Sequence, residues 1–417
     1  MSVAGVICEY NPFHEGHKYQ IQKIRELTGA ETVVAVMNGD FVQRGEPAIV
    51  DKYTRARMAL QEGVDLVFEL PVRYGISSAR DFAYGGILAL ESLSFVDYYC
   101  FGSECGDLHA LTQAGRFFAE ESCRGDGYDA VLARSVREGL SYPAAREKAF
   151  WQCFQGEDLD AYKAAGENAG GSSLFAPNNI LGIEYIRAAE QLKSRMKPVT
   201  VRRCGMGYHD ADGRHVSGHA EEPGGFLSAT AVREHMRKGQ WDGIPPVAEK
   251  LLREADVYLA PENFWTACAY AIRLRWERLE QIKDISADLA GRFRSCLDQA
   301  VSLEDFVMKC KTKNVTMTRI RRCLFQVLLG VEKTAEREKQ LPYIRLLGMR
   351  KEAAAYLKQV SNTVILARLS ADASRLDDDA RAKLGQDVLA SDIYRSVAMA
   401  ASGNYIPDEY KRPLITL

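Results

Sequence analysis

The sequence predicts an α/β protein: a parallel, doubly wound sheet followed by a mainly α-helical C-terminal domain. Two patterns predict it. Five short apolar runs alternate with helical periodicity through residue 203, as strands do in βαβ units. From Ala248 onward the pattern is amphipathic and helix-rich, with no convincing alternating strand.

The run "VAGVIC" (3–8) reads as the first buried strand, and a helix runs from Gly16 to Leu27, stopped by Gly29. "TVVAVM" (32–37) is a second strand and opens into the loop "NGDFVQRGEPAIV". Asp51 can cap the helix "KYTRARMALQE", which ends at Gly63. "DLVFEL" (65–70) is a third strand, broken by Pro71. A helix near 79–93 precedes a fourth strand, "VDYYCF", which runs into "GSECGD"; "PVTVRR" (198–203) is a fifth. A sheet of this kind binds ligands outside the carboxyl ends of its strands, where all the unusual loops fall. The stretch from about 128 to 195 reads as a helical insertion. The division expected is a catalytic domain over 1–245 and a helical domain over 246–417. The latter includes "FWTACAYAIRLRWERLEQI", "RIRRCLFQVLLG", "MRKEAAAYLKQV" and "DASRLDDDARAKL".

Composition narrows the class. The 417 residues are 47% hydrophobic and 26% charged, ordinary for a globular protein of two or three domains. No apolar run approaches the roughly 20 residues of a membrane span, and "MSVAGVICEY" lacks a signal-peptide pattern, so a cytoplasmic location is expected. The ten cysteines form no C-x-x-C pair, which argues against a zinc ribbon or disulfide framework. A net charge of −2 requires any nucleic-acid contact to use a local basic patch.

The stretch "EYNPFHEGHKYQ" places His14 and His17 three residues apart at a strand-to-helix junction. Helix N-terminal N–H groups and the helix dipole favour an anion there, and two imidazoles can bracket a phosphate. Gly16 lets a base or ribose approach the backbone. A zinc pair or solvated cap is the alternative, but no third ligand is evident and His-x-x-His falls short of the i, i+4 zinc spacing. His209, His215 and His219 read as a polar loop rather than a metal site, so no metal ligand is assigned.

"PFHEGH" is similar to the H-x-G-H signature of the nucleotidylyltransferase superfamily, and "SATAVR" supplies its companion S-x-T-x-x-R as Ser228, Thr230 and Arg233. The motifs lie more than 200 residues apart, which makes their pairing specific. The combination with "FVQRGEPAIVDKYTRARMAL", "FELPV", "FGSE", "PNNILGIEYI", "GYHD" and "TMTRIRR" resembles the tRNA(Met) cytidine acetate ligase family. That resemblance implies a Rossmann-like sheet of the nucleotidylyltransferase type and acetate activation by ATP, with Mg2+ as the phosphates' companion. The acetyl group would pass from acetyl-adenylate to N4 of the wobble cytidine 34 of elongator tRNA(Met). No membrane or protein partner is expected.

By the same resemblance, His14, His17, Lys18, Ser228, Thr230 and Arg233 are the catalytic candidates; Lys18 reads equally as a solvated helix lysine. ATP contacts are implied along Ile7, Cys8, Glu9, Tyr10, Asn11, Pro12, Phe13, His14, Gly16 and His17. Gly102 is a further one, or a turn glycine. Asn178 and Asn179 read as a nucleotide contact, a helix start, or both. Arg202 and Arg203 are an ATP contact or a solvated strand edge, with Arg203 preferred.

Asp40, Gln43 and Arg44 fall where the acceptor should approach, followed by Arg55 and Arg57, and read equally as a charged loop and an exposed helix face. "KCKTKNVTMTRIRR" carries Lys309, Lys311, Lys313, Arg319, Arg321 and Arg322 with no acidic residue, a candidate tRNA backbone site or a solvated helix start. Tyr343, Arg345, Arg350 and Lys351 could extend it. The rival readings are an adenylyltransferase acting on a small phosphorylated acceptor and a non-catalytic RNA-binding protein.

Overall fold

The computed structural model describes residues 2–120, 127–154, 162, 174–203, 225–255, 257–313 and 315–417. His209, His215, His219 and the "GYHD" motif lie outside the described residues.

The strands are β1 (Val3–Cys8), β2 (Thr32–Asn38), β3 (Phe41–Val42), β4 (Glu46–Pro47), β5 (Leu66–Leu70), β6 (Tyr98–Ser103), β7 (Lys197–Arg202), β8 (Tyr343–Met349), β9 (Val364–Leu366) and β10 (Ile415–Thr416). The main sheet runs β10-β8-β5-β2-β1-β6-β7, with β9 beside β8. β1 pairs in parallel with β2 from Val3 opposite Thr32, and with β6 from Ala4 opposite Tyr98. β2 is buried along its whole length, because helices cover both faces. The chain winds outward from β1 through β2 to β5, then crosses to β6 and β7. The direction of winding therefore changes between β1 and β6, and the crevice at their carboxyl ends is the expected ligand position.

β1, β2, β5, β6 and β7 and the helices between them match the sequence expectation closely, whereas the short hairpin β3–β4 forms in the stretch read as a loop. Helix α1 (Glu15–Thr28) ends at Gly29 in the left-handed conformation, φ 64°. Helix α2 (Lys52–Gln61) is capped by Asp51, whose Oδ1 accepts from the Tyr53 N–H at 2.9 Å. Helices Tyr128–Arg137, Tyr142–Cys153 and Pro177–Leu192 account for the helical stretch expected between the fourth and fifth strands.

The expectation that no strand follows Ala248 is corrected. β8, β9 and β10 all come from that half, and β8 lies antiparallel against β5, Leu66 opposite Met349. Its residues are almost all buried, so they show a continuous apolar run and no alternation. "MRKEAAAYLKQV" is correspondingly no long helix. It holds the end of β8, a 3-10 turn (Lys351–Ala353) and one short helical turn (Ala354–Leu357).

The helical part has its own core, with Phe264, Phe293, Phe306 and Phe325 at its centre. Phe41 of β3 enters that core, 5.5 Å from Phe264 and 5.7 Å from Phe325 between ring centres. Further ties cross between the halves. Tyr394 donates to the Ala48 carbonyl at 2.9 Å, and Gln326 donates to the Ile76 carbonyl at 2.8 Å. The loop after β2 is thus held on both sides, by the sheet and by the helical core.

Candidate active site

The segment between β1 and α1 bends sharply. Tyr10 adopts φ 47°, a left-handed conformation unfavourable for a bulky residue, and the Asn11–Pro12 peptide is cis. Packing and hydrogen bonds hold it there. Tyr10 and Phe13 are buried with ring centres 4.9 Å apart, and both rings contact the His17 ring, at 4.8 and 5.5 Å. Arg55, fully buried, donates to the carbonyls of Glu9 (2.6 Å), Asn38 (3.1 Å), Val50 (3.2 Å) and Gly39. It satisfies strand-end carbonyls and does not face an acceptor, whereas Arg57 is exposed.

His14 and His17 stack, ring centres 3.7 Å apart. His14 Nδ1 accepts from the Gly16 N–H at 3.1 Å, and His17 Nδ1 accepts from the His14 N–H at 3.3 Å. An Nδ1 that accepts a hydrogen bond carries no proton, so the neutral ring is protonated on Nε2. Burial, with the charges of Arg203 and Arg233 nearby, lowers the His14 pKa to about 3. Burial, with His14 and Arg203, lowers His17 well below its ordinary value. Both rings are therefore neutral N–H donors at physiological pH. A Cβ on Gly16 would lie 3.0 Å from the His14 ring, so this glycine makes room for the imidazole.

Arg233 comes from the helix Ala229–Arg237, whose N-cap Ser228 spends its hydroxyl on the Ala231 N–H at 3.2 Å. Arg233 donates to the Asn11 carbonyl at 2.8 Å and to Thr230 Oγ1 at 3.4 Å. The second motif thereby reaches the loop that leads into the first. Lys18 instead pairs with Glu62 at 3.0 Å, near the far end of α2, and this geometry gives it no contact with the imidazole pair.

On the β6 side, a Cβ on Gly102 would lie 3.2 Å from Arg203 Cγ, so the glycine admits the arginine side chain across the strand end. Arg203 donates to Asn178 Oδ1 at 3.4 Å. Asn179 is different: it is fully buried, and its Oδ1 accepts from the backbone N–H groups of Glu104 (2.9 Å) and Cys105 (3.3 Å). Glu104 returns the bond, its carboxylate accepting from the N–H groups of Asn178 (3.0 Å) and Asn179 (2.8 Å) at the start of Pro177–Leu192. Asn179 and Glu104 are a mutual lock, which corrects the reading of Asn179 as a nucleotide contact. Sequence reasoning missed Glu104, although it directly follows β6. Arg202 is exposed and lies over Gly106.

The remaining loop residues divide by burial. Ile7 is half-buried, and the Cys8 thiol points to the Val36 carbonyl at 3.8 Å, its pKa raised by burial. Glu9 accepts from the Gln43 N–H at 2.9 Å, and burial raises its pKa. Asn11 Oδ1 accepts from the Ile49 N–H at 2.8 Å, and Pro12 is buried. Asp40 is buried, taking the Lys52 N–H at 2.9 Å, and is corrected from acceptor contact to loop anchor. Gln43 and Arg44 sit at the tip of the β3–β4 hairpin, where Arg44 is exposed.

The basic segment is less bare than its sequence suggests. Acids outside it meet it: Asp305 pairs with Lys309 one helical turn on, Glu304 pairs with Arg321, and Asp284 with Arg322 at 3.1 Å. Arg319 donates to the Asp284 carbonyl at 3.2 Å. Lys311 and Lys313 are exposed. The suggested extension is corrected too. Tyr343 is buried and donates to Asp387 at 2.6 Å, Arg345 lies in a buried ion cluster, and Arg350 caps α2 through the Leu60 carbonyl at 3.0 Å; Lys351 is exposed.

A strand-loop-helix turn carrying paired imidazoles, answered by an arginine from a second helix start at the switch point of the sheet, defines a nucleotide-binding protein that acts on phosphates. The family model for HIGH nucleotidyl transferases matches residues 1–406. The tRNA(Met) cytidine acetate ligase of Halothermothrix orenii is 37% identical over 413 residues, 94% of each chain. That of Caldicellulosiruptor saccharolyticus is 38% identical over 373 residues, 87% of this chain and 86% of the relative. The crystal structure of Thermotoga maritima TmcAL bound with alpha-thio ATP superposes with a TM-score of 0.83 at 30% identity, covering 100% of both chains. The chain belongs to the HIGH nucleotidyl transferases and, among them, to the tRNA(Met) cytidine acetate ligase family.

Proposed function

We propose that the chain activates acetate with ATP and transfers the acetyl group to N4 of cytidine 34 of elongator tRNA(Met). The observation that carries this reading is the pair of neutral Nε2–H donors at the N-terminus of α1, with Arg203 and Arg233 close by. Acetate is an anion at pH 7 and needs no general base, only an α-phosphate whose charge is offset and whose position is fixed. An acetate oxygen attacks the α-phosphorus, the bond to the bridging oxygen of the β-phosphate breaks, and pyrophosphate leaves. His14, His17 and the α1 N-terminus hold the phosphates, and Arg233 stabilises the charge that develops on them. Arg203, held by Asn178, lies on the other side of the crevice. In the second step N4 attacks the acetyl carbon, the carbon–oxygen bond to AMP breaks, and AMP and a proton are released.

Among the described residues no group of three or more His, Cys, Asp or Glu side chains is arranged to hold a metal. Mg2+ would enter on the ATP phosphates, offsetting their charge. The exposed Lys311 and Lys313, with the partly neutralised arginines behind them, are the proposed tRNA backbone contacts.

The test is pyrophosphate release from ATP and Mg2+ with and without acetate, in the absence of tRNA. Acetate-dependent release is expected. Release that ignores acetate but follows an added small phosphate ester, with AMP attached to it, would replace this reading by an adenylyltransferase.

A further inference from the structure

The β3–β4 hairpin touches both halves of the proposed reaction. Its Gln43 N–H binds Glu9, beside the phosphate loop. Its tip residue Gly45 has φ 77°, and a Cβ there would fall 2.2 Å from the Arg322 backbone nitrogen, so only glycine lets the hairpin lie against the helix Met317–Leu329. The next residue, Glu46, reaches an arginine of each region. One carboxylate oxygen is 3.8 Å from Arg233 Nη2 and the other 3.9 Å from Arg321 Nη1.

We infer that Glu46 is a shared counter-ion that makes ATP and tRNA binding antagonistic, so that tRNA engages Arg321 fully only after pyrophosphate has left. The inference rests on the function proposed above. One carboxylate cannot neutralise two guanidinium groups. ATP phosphates at Arg233 repel Glu46 toward Arg321, where it competes with a tRNA phosphate. Departure of pyrophosphate removes that repulsion, Glu46 returns to Arg233, and Arg321 keeps only Glu304 as a carboxylate partner, which leaves it more open to an RNA phosphate. Such coupling is reciprocal between the two ligands. For partly exposed pairs at this separation it belongs at the low end of the usual range, about fivefold.

The test measures the dissociation constant of the full-length protein for elongator tRNA(Met) at fixed ionic strength, with and without α,β-methylene-ATP. Wild type should bind tRNA about fivefold more weakly with the analogue. Glu46→Gln should bring that ratio close to one, and Glu46→Asp should restore it. Glu304→Gln removes a carboxylate that meets Arg321 alone, so it should tighten tRNA binding while keeping the ratio. The inference is overturned by a wild-type ratio of one, by antagonism that persists in Glu46→Gln, or by Glu304→Gln abolishing it as well. Acetate-dependent pyrophosphate release on the same wild-type preparation separates the two claims, because its absence overturns the reaction and not the ratio.

Discussion

Two polar clusters sit at the same end of the sheet, one beyond β5 and one beyond β1, and they treat charge in opposite ways. Around Lys52, the ammonium group meets Glu69 at 2.7 Å, Glu409 at 3.0 Å and Asp40 at 3.8 Å, and it donates to Ser391 at 2.7 Å. Arg345 joins through Glu69 at 3.3 Å and through Glu409. Burial pushes the Glu409 carboxyl up, but Lys52 and Arg345 outweigh it and hold it at about 2. At the His14–His17 pair, by contrast, the rings are neutral, Arg203 bonds to a neutral amide, and Arg233 meets a carboxylate only at 3.8 Å. The first cluster is saturated and ties β5, α2, β8 and the C-terminal segment together. The second sets neutral ring donors beside two arginines whose carboxylate neighbours, Glu104, Glu9 and Glu46, make no close ion pair with them among the described contacts, a place that an anion completes.

The sharpest way to break this contrast is to change one group in each cluster. Lys52→Met leaves buried carboxylates without their cation and should destabilise the fold by about 3–5 kcal/mol, read by urea unfolding. His17→Ala or Arg233→Ala should lower acetate-dependent pyrophosphate formation about 10²–10³-fold, with tRNA affinity and the unfolding midpoint nearly unchanged. If His17→Ala unfolds as readily as Lys52→Met, both clusters are struts and the contrast fails. The two asparagines repeat the comparison on a smaller scale. Asn179→Ala leaves buried backbone donors without an acceptor and should cost about 1–3 kcal/mol, whereas Asn178→Ala should chiefly raise the KM for ATP.

Acid should distinguish the clusters as well. The His14 pKa is depressed in the fold, so the unfolded chain binds more protons between about pH 6.5 and pH 3. The stability contribution of neutral His14 is complete above pH 6.5 and is lost as pH falls toward 3. His14→Gln should therefore show a shallower decline in unfolding free energy from pH 6.5 to 4.5 than wild type. An imidazole that titrates near pH 6.5 by NMR would contradict the assignment. The smallest effect is expected at the RNA surface. Lys311→Ala and Lys313→Ala should each reduce the salt dependence of tRNA binding by about one phosphate contact, without altering adenylation.

Much of this was legible in the sequence because its causes are local. The limits of β1, β2, β5, β6 and β7 and of the helices between them follow from apolar runs, Asp51 and Gly29, and the imidazole site follows from His14 and His17 at a strand-to-helix junction. What was not legible depended on partners far along the chain. β8 carries no alternation, since both of its faces are covered. The charges of Arg321 and Arg322 looked uncompensated because Glu304 and Asp284 lie 17 and 38 residues away, outside the segment. Asn179 and Asp40 have polar side chains typical of ligand contacts, and only their burial shows them to be anchors. Glu104 and Glu46 belong to no motif that marks them, and their roles come from what they face across the crevice.

The most direct test incubates the purified protein with ATP, Mg2+ and radiolabelled acetate, with and without elongator tRNA(Met), and analyses the nucleosides of the recovered RNA. The account predicts label as N4-acetylcytidine only when ATP is present, and its loss in His17→Ala. RNA that stays unlabelled with wild type, or labelling that survives His17→Ala, would contradict it.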